Sequence, residues 1–274
     1  KSEREGWGAR GRMKDSSSTD VVVHGGNILS TFYMCGDGYI LDPETLETTG
    51  TADWVPEGGI SAHPKVDLAT GDLLFFNYGK EAPYMHYGVV GADQKLKHYI
   101  PIELPGARLP HDMAFTQNYS ILVDLPLFWN PDLLKKGIHA NQYYPELPTR
   151  FAIVPRFGNP SEIRWFEAAP TYVLHWMNAW EEGNEIVLDG YFQDDPDPAP
   201  LDVPGLDKKF GKLLANIDEH SFKPKLHRWR FNLDTGKTTE ERLDDRILEF
   251  GSFNQNYAGI KSRYLYSTTT KPGW

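Results

Sequence analysis

Cysteine is nearly absent: Cys35 is the single thiol in 274 residues. It cannot close an internal disulfide, so burial and hydrogen bonding must hold the fold, and a reducing compartment suits it. Long apolar runs are missing too, and none approaches the roughly 20 residues of a membrane-spanning helix. No basic segment followed by an apolar one opens the sequence, so a signal peptide is not expected and a cytoplasmic location is. Cations are in the minority, with Lys+Arg 28 against Asp+Glu 38 and a formal charge of −10. Such a surface repels a phosphate backbone. The longest basic stretch, residues 223–230, is short and broken by apolar side chains, so no nucleic-acid partner is expected. Helical periodicity is scarce. Only 130–137, where Asn130 can cap and Pro131 sits in the first turn, and 208–218 read as helices, both as insertions.

What the sequence does have is dense punctuation, 25 Gly and 20 Pro, around short strand-like runs at 21–23, 73–78, 121–123, 151–154, 185–188 and 264–267. Hydrophobic residues at 40% and charged ones at 24% are globular proportions that exclude disorder, collagen and coiled coil. A weak repeat joins the runs. Residues 42–45 with Gly50, residues 67–71, and Asp234-Thr235-Gly236 each offer an Asp to bond the turn backbone and a Gly for positive φ. Three probable hairpins in a chain this long favour an all-β propeller, barrel or sandwich. Propeller blades run about 40–45 residues, so several would fit. Residues 194–200, acidic and Pro-rich, read as a surface excursion, since a calcium loop needs a Gly and a distal Glu that are not there.

Of nine histidines, His63, His111 and His175 share a setting: apolar or small neighbours, then a strand-like run. They are spaced by 48 and 64 residues (63 to 111, 111 to 175), which is one blade, or one blade with an insertion. Equivalent positions on successive blades face a common axis, where three imidazoles could converge. Imidazole suits iron, zinc, copper and nickel. On spacing alone the competing reading, hydrogen-bonded core histidines, stays open.

Ser61-Ala62-His63-Pro64-Lys65, Pro110-His111-Asp112-Met113 and the run from His175 to Glu182 resemble the first three histidine motifs of the carotenoid cleavage oxygenases. The segments 41–48 and 244–250 resemble that family's stretch before the first motif and its acidic stretch ending in Glu-Phe-Pro, here Glu249-Phe250-Gly251. Each motif is weak alone; five in order are specific. The resemblance implies an all-β fold, part of a seven-bladed β-propeller with short helical insertions, and Fe(II) on its axis held by four neutral histidines. His63, His111 and His175 would be three of them, and Glu249 would hydrogen-bond a ligand ring. No histidine follows His227, so the fourth ligand is not in the chain. Residues 1–274 are expected to be one partial domain lacking the first and last blades, and inactive by itself.

Two departures bear on substrate. The family's glutamate before the 41–43 segment, a further ring-holding carboxylate, falls on Met34, so that partner is absent or displaced. The lysine that holds the phenol in the stilbene-cleaving branch falls on Tyr33. The expected reaction is therefore O2-dependent cleavage of a conjugated double bond of a carotenoid or apocarotenoid into two carbonyl products. A stilbene substrate, or a metal-free propeller used for binding, are the alternatives. An apolar polyene would need an aromatic tunnel, for which Phe75, Phe76, Tyr84, Tyr87, Phe128, Trp129, Trp176 and Phe253 are candidates, core packing being the competing role of each. The apolar stretch 125–129 could line a tunnel mouth in peripheral contact with a membrane, or pack on the propeller rim.

Overall fold

Turn-forming residues decide where this chain folds back. In the computed structural model, which describes residues 15–197, 199–202, 204–205, 211 and 222–269, the short apolar runs become antiparallel strands. Four form a meander: β1 (Asp20–His24), β2 (Asn27–Thr31), β3 (Tyr39–Leu41) and β4 (Thr48–Thr51). The next four repeat it: β5 (Lys65–Asp67), β6 (Asp72–Tyr78), β7 (Tyr84–Val90) and β8 (Leu96–Glu103). A third sheet takes β9 (Ala114–Phe115) and β10 (Tyr119–Asp124). The chain then makes an excursion of β11 (Leu127–Trp129), the one-turn helix α1 (Pro131–Leu134) and β12 (Asn141–Tyr143). It returns as β13 (Thr149–Pro155) and β14 (Arg164–Ala168), giving the order β14-β13-β10-β9. The fourth sheet is β15 (Trp176–Glu182), β16 (Glu185–Gln193), β17 (Pro224–Asn232) and β18 (Thr238–Arg242), in that order. A final pair joins β19 (Leu248–Ser252) to β20 (Tyr266–Thr269). Serial four-stranded meanders are the pattern of propeller blades.

Contacts divide the chain into two units, residues 1–122 with 153–164, and residues 123–152 with 165–274. The division falls inside the strands of the third sheet.

All three expected hairpins form, with two differences in chemistry. Asp42 Oδ1 accepts from the amides of Glu44 and Thr45, and Asp67 Oδ1 from that of Ala69. In the third turn the accepting side chain is Asn232, which takes the amides of Asp234 and Thr235; Asp234 instead accepts from Asn184. Gly71 and Gly236 take positive φ as expected, but in the first turn Leu46 does so, at 61°. Asn130 caps α1 through the amides of Asp132 and Leu133, though the helix stops at four residues. The last strand starts at Tyr266 rather than 264. The expected helix at 208–218 lies, but for Gly211, outside the described residues.

In the first unit Leu29, Trp54, Ile60, Leu73, Phe75 and Val90 pack as one buried cluster. Every residue of β6 is buried, which is why residues 73–76 within it read as an unbroken apolar run rather than an alternating one. Phe75, Phe76, Tyr87, Phe128, Trp129 and Trp176 are all buried. Phe75, Phe76 and Tyr87 lie in the paired β6 and β7, and Phe128 stacks on Tyr144. Packing, not a tunnel wall, is what their contacts describe. The same holds for much of the 125–129 stretch, where Leu125, Phe128 and Trp129 are buried. Arg156 spans this unit beneath its strands: its guanidinium donates to the Asp67 carboxylate and to the Thr116 carbonyl. Burial pushes the Asp67 carboxyl up, but the Arg156, Ala69 and Thr70 donors outweigh it and leave the group below its usual range.

In the second unit Phe151 meets Trp176, Trp229 and Phe231 edge-on or tilted. Gly190 pairs with Trp176 across β15 and β16. A Cβ there would stand 2.5 Å from the Trp176 ring, so only glycine lets that indole lie flat on the neighbouring strand. The basic stretch noted in the sequence is neutralised here. Arg228 pairs with Asp189, Arg230 with Glu182 and Glu185, and Lys225 with Asp194.

Gly190→Ala should therefore lower stability by about 1–3 kcal/mol through overpacking, read as a lower denaturation midpoint with an unchanged m-value. Asp67→Asn should cost about 3–5 kcal/mol at neutral pH, because Arg156 is left buried without its anion. Asp67 titrates at a lower pH folded than unfolded, so its contribution is full above about pH 4 and fades as pH falls through the folded value. Denaturant titrations of parent and variant from pH 7 downward should show the gap narrowing below about pH 4; a constant gap would contradict the pairing.

Candidate metal centre

Each expected ligand stands within three residues of the start of the first strand of a meander. His63 precedes β5, His111 precedes β9 and His175 precedes β15. A residue at a strand's start is held by the ladder behind it while its side chain projects past the sheet's end.

His63 and His111 lie in the first unit, and the structure brings them together. A parallel bridge joins His63 to Asp112. Across it Lys65 Nζ reaches Asp112 Oδ1 at 2.6 Å, and the Asp112 carboxylate, almost fully buried, also accepts from the Met113 amide. The two histidine-bearing segments are thus bolted by backbone and by charge. Their Nε2 atoms lie 3.1 Å apart, with ring centroids at 4.8 Å and planes at 71°.

The outer nitrogen of His63 has its own partner. Nδ1 sits 2.8 Å from Asp20 Oδ2, at the start of β1. Burial raises the Asp20 carboxyl, but the hydrogen bond and charge of His63, the Val21 amide and Lys65 together pull it below its usual value. The residue is ionised at neutral pH and can only accept, so His63 Nδ1 is the donor of this hydrogen bond. Nothing in the local spacing of residues 61–65 points to Asp20, 43 positions away.

His175 and Glu249 lie in the second unit, and they too are brought together. His175 Nδ1 and Glu249 Oε2 are 2.9 Å apart, with side chains only 16% and 14% exposed. Glu249 Oε2 also accepts from the Phe250 amide, while its other oxygen, Oε1, is buried with no hydrogen-bond partner. The carboxylate is held in β19, where Glu249 pairs with Thr268 and its carbonyl accepts from that hydroxyl. Met34, at the place where the resemblance called for a glutamate, has its thioether 3.8 Å from the Tyr78 hydroxyl, which donates to the Tyr33 carbonyl at 2.6 Å. Tyr33 is half-buried, its ring 6.1 Å from that of His111, and burial raises its hydroxyl pKa.

The donor set fits a divalent transition metal. Two nitrogens bound to one ion at about 2.1 Å, at right angles, are about 3.0 Å apart; the His63–His111 pair has that separation. Carboxylates on the outer ring nitrogens are the usual companions of ligating imidazoles.

A family model described as retinal pigment epithelial membrane protein matches residues 2–274. A carotenoid 9,10(9',10')-cleavage dioxygenase 1 of Pisum sativum is 34% identical over 234 residues, covering 84% of this chain and 41% of that protein. An isoeugenol monooxygenase of Pseudomonas nitroreducens is 31% identical, covering 96% and 55%. Among solved structures, a lignostilbene dioxygenase of Pseudomonas brassicacearum superposes with a TM-score of 0.78 at 27% identity, over 94% of this chain and 54% of that one. A variant of Synechocystis apocarotenoid oxygenase superposes at 0.76 and 21% identity, over 94% and 55%. The chain thus spans about half the length of the relatives it matches. Its meanders are those of part of a β-propeller. With a family match along almost every residue and the expected motifs at the strand starts, the chain belongs to the retinal pigment epithelial membrane protein family, that of the carotenoid cleavage oxygenases.

Proposed function

We propose that this chain is part of an Fe(II)-dependent dioxygenase that cleaves a conjugated carbon–carbon double bond of a carotenoid or apocarotenoid into two carbonyl products. His63, His111 and His175 are three ligands of one iron in this reading, a fourth histidine lying outside the chain, and Glu249 holds His175. The observation that carries the proposal is the 3.1 Å approach of two imidazole nitrogens, one of them turned lone pair outward by Asp20. Two lone pairs at that distance repel unless a proton or a cation lies between them.

When bound, the iron supplies the oxygen chemistry that protein side chains lack. The chain's own residues have simpler tasks. Neutral imidazoles leave the ion's charge intact, and the carboxylates behind them fix each ring and its tautomer. The bolt between Lys65 and Asp112 keeps the first two rings in register. An apolar substrate asks for no general base; position relative to the ligand rings selects the bond. Tyr33 supports a polyene over a phenolate, because a neutral hydroxyl offers no charge to a phenolate.

The likeness to isoeugenol and lignostilbene enzymes supports a second reading, an aryl-substituted alkene as substrate. No helix among the described residues is long and apolar enough to cross a membrane. A cytoplasmic protein drawing a lipophilic substrate through peripheral membrane contact accords with either substrate.

Iron analysis and O2 uptake on the complete protein test the proposal. About one iron per chain is expected, with O2 consumed on an apocarotenal and not on a hydroxystilbene; the reverse preference would select the second reading. Replacing both His63 and His111 with Ala should abolish iron binding, and full iron occupancy in that double variant would refute the centre.

A further inference from the structure

We infer that Asp20 is the positioning residue of His63: its carboxylate fixes the ring's tautomer and aim, so that metal binds through Nε2. The inference rests on the metal reading above and extends it to a residue that none of the histidine motifs contains.

Three features single Asp20 out. Its carboxylate is held at both oxygens, Oδ1 by the Val21 amide at 2.8 Å and Oδ2 by His63 Nδ1 at 2.8 Å. A carboxylate pinned by backbone at one end holds whatever it grips at the other. Its strand is anchored to the segment it serves. Asp20 pairs with Thr31 in the β1–β2 ladder, and the fully buried Thr31 hydroxyl donates to the carbonyl of Ala62, the residue before His63. Lys65, whose charge also acts on Asp20, makes its own ion pair with Asp112 and leaves the Asp20 carboxylate to His63.

The arrangement repeats that of His175, whose Nδ1 is likewise held by a carboxylate, Glu249. The parts differ: Glu249 reaches from β19 and Asp20 from the start of β1. The sequence resemblance placed a ring-holding carboxylate at position 34, where Met34 stands. The carboxylate found at His63 instead comes from the start of β1. The physical consequence is tautomeric. A neutral imidazole carries one proton, and an anion beside Nδ1 keeps it there, leaving Nε2 free of hydrogen and directed at His111 Nε2.

The experiment uses the complete protein, freed of metal and titrated with Co2+, whose visible bands report imidazole ligation. Asp20→Leu, alike in branching and unable to accept, should weaken Co2+ binding about 10–100-fold while the metal-free melting temperature holds. Asp20→Asn, which keeps one acceptor oxygen, should lose less. Co2+ affinity in Asp20→Leu equal to that of the unsubstituted protein overturns the inference and leaves the metal reading standing. Failure of the unsubstituted protein to bind Co2+ overturns both. Should Asp20→Leu not fold, the 15N shifts of the His63 ring in metal-free Asp20→Ala carry the test. The Nδ1–H tautomer dominates in the parent and should lose that dominance in the variant; an unchanged tautomer ratio refutes the role.

Discussion

An imidazole binds a metal only through a nitrogen that carries no proton, and its two nitrogens are nearly equivalent in water. The candidate centre depends on breaking that equivalence. His63 and His175 are treated alike: a carboxylate meets Nδ1, which in a neutral ring leaves Nε2 bare. The anions are placed by backbone, Asp20 through the Val21 amide and Glu249 through the Phe250 amide and the β19–β20 ladder. Ring orientation is thus inherited from sheet geometry rather than from contacts among the rings.

The meander explains why such placement is economical. Three of the four-stranded sheets carry a histidine within three residues of the start of their first strand, so only a short segment has to aim it. The cost is rigidity demanded of the first strand. β5 and β9 are short, three and two residues, too short to be stiff alone. The His63–Asp112 bridge and the Lys65–Asp112 pair make up the difference. β15 is longer and is held differently, by Trp176 lying on Gly190 with Trp229 and Phe151 around it. One type of site is supported by ion pairing in one unit and by aromatic packing in the other.

Burial also sorts the aromatic residues. The sequence offers many that could line a tunnel, but Phe75, Phe76, Tyr87 and Trp176 are spent inside or between strands. Strand burial on both faces hides this, because an unbroken apolar run looks the same whether it faces a neighbouring strand or a substrate. Tyr33, half-buried beside His111, is a better marker of the surface a substrate would meet than the larger aromatic clusters.

Local chemistry made much of this legible in advance. Turn-forming Asp, Asn and Gly residues act within four positions of themselves, so the hairpins at 42–48, 67–72 and 232–238 could be read directly. So could the Asn130 cap, because its acceptor meets amides two and three residues on. The histidine motifs and Glu249 were legible through their fixed order along the chain. The sequence alone thus determined strands, turns and the all-β class. Only tertiary structure decided that Asp20 grips His63 and that Lys65 and Asp112 bolt two segments. Hydrogen bonds and ion pairs between distant residues depend on which strand starts the fold brings side by side, and no local spacing encodes that.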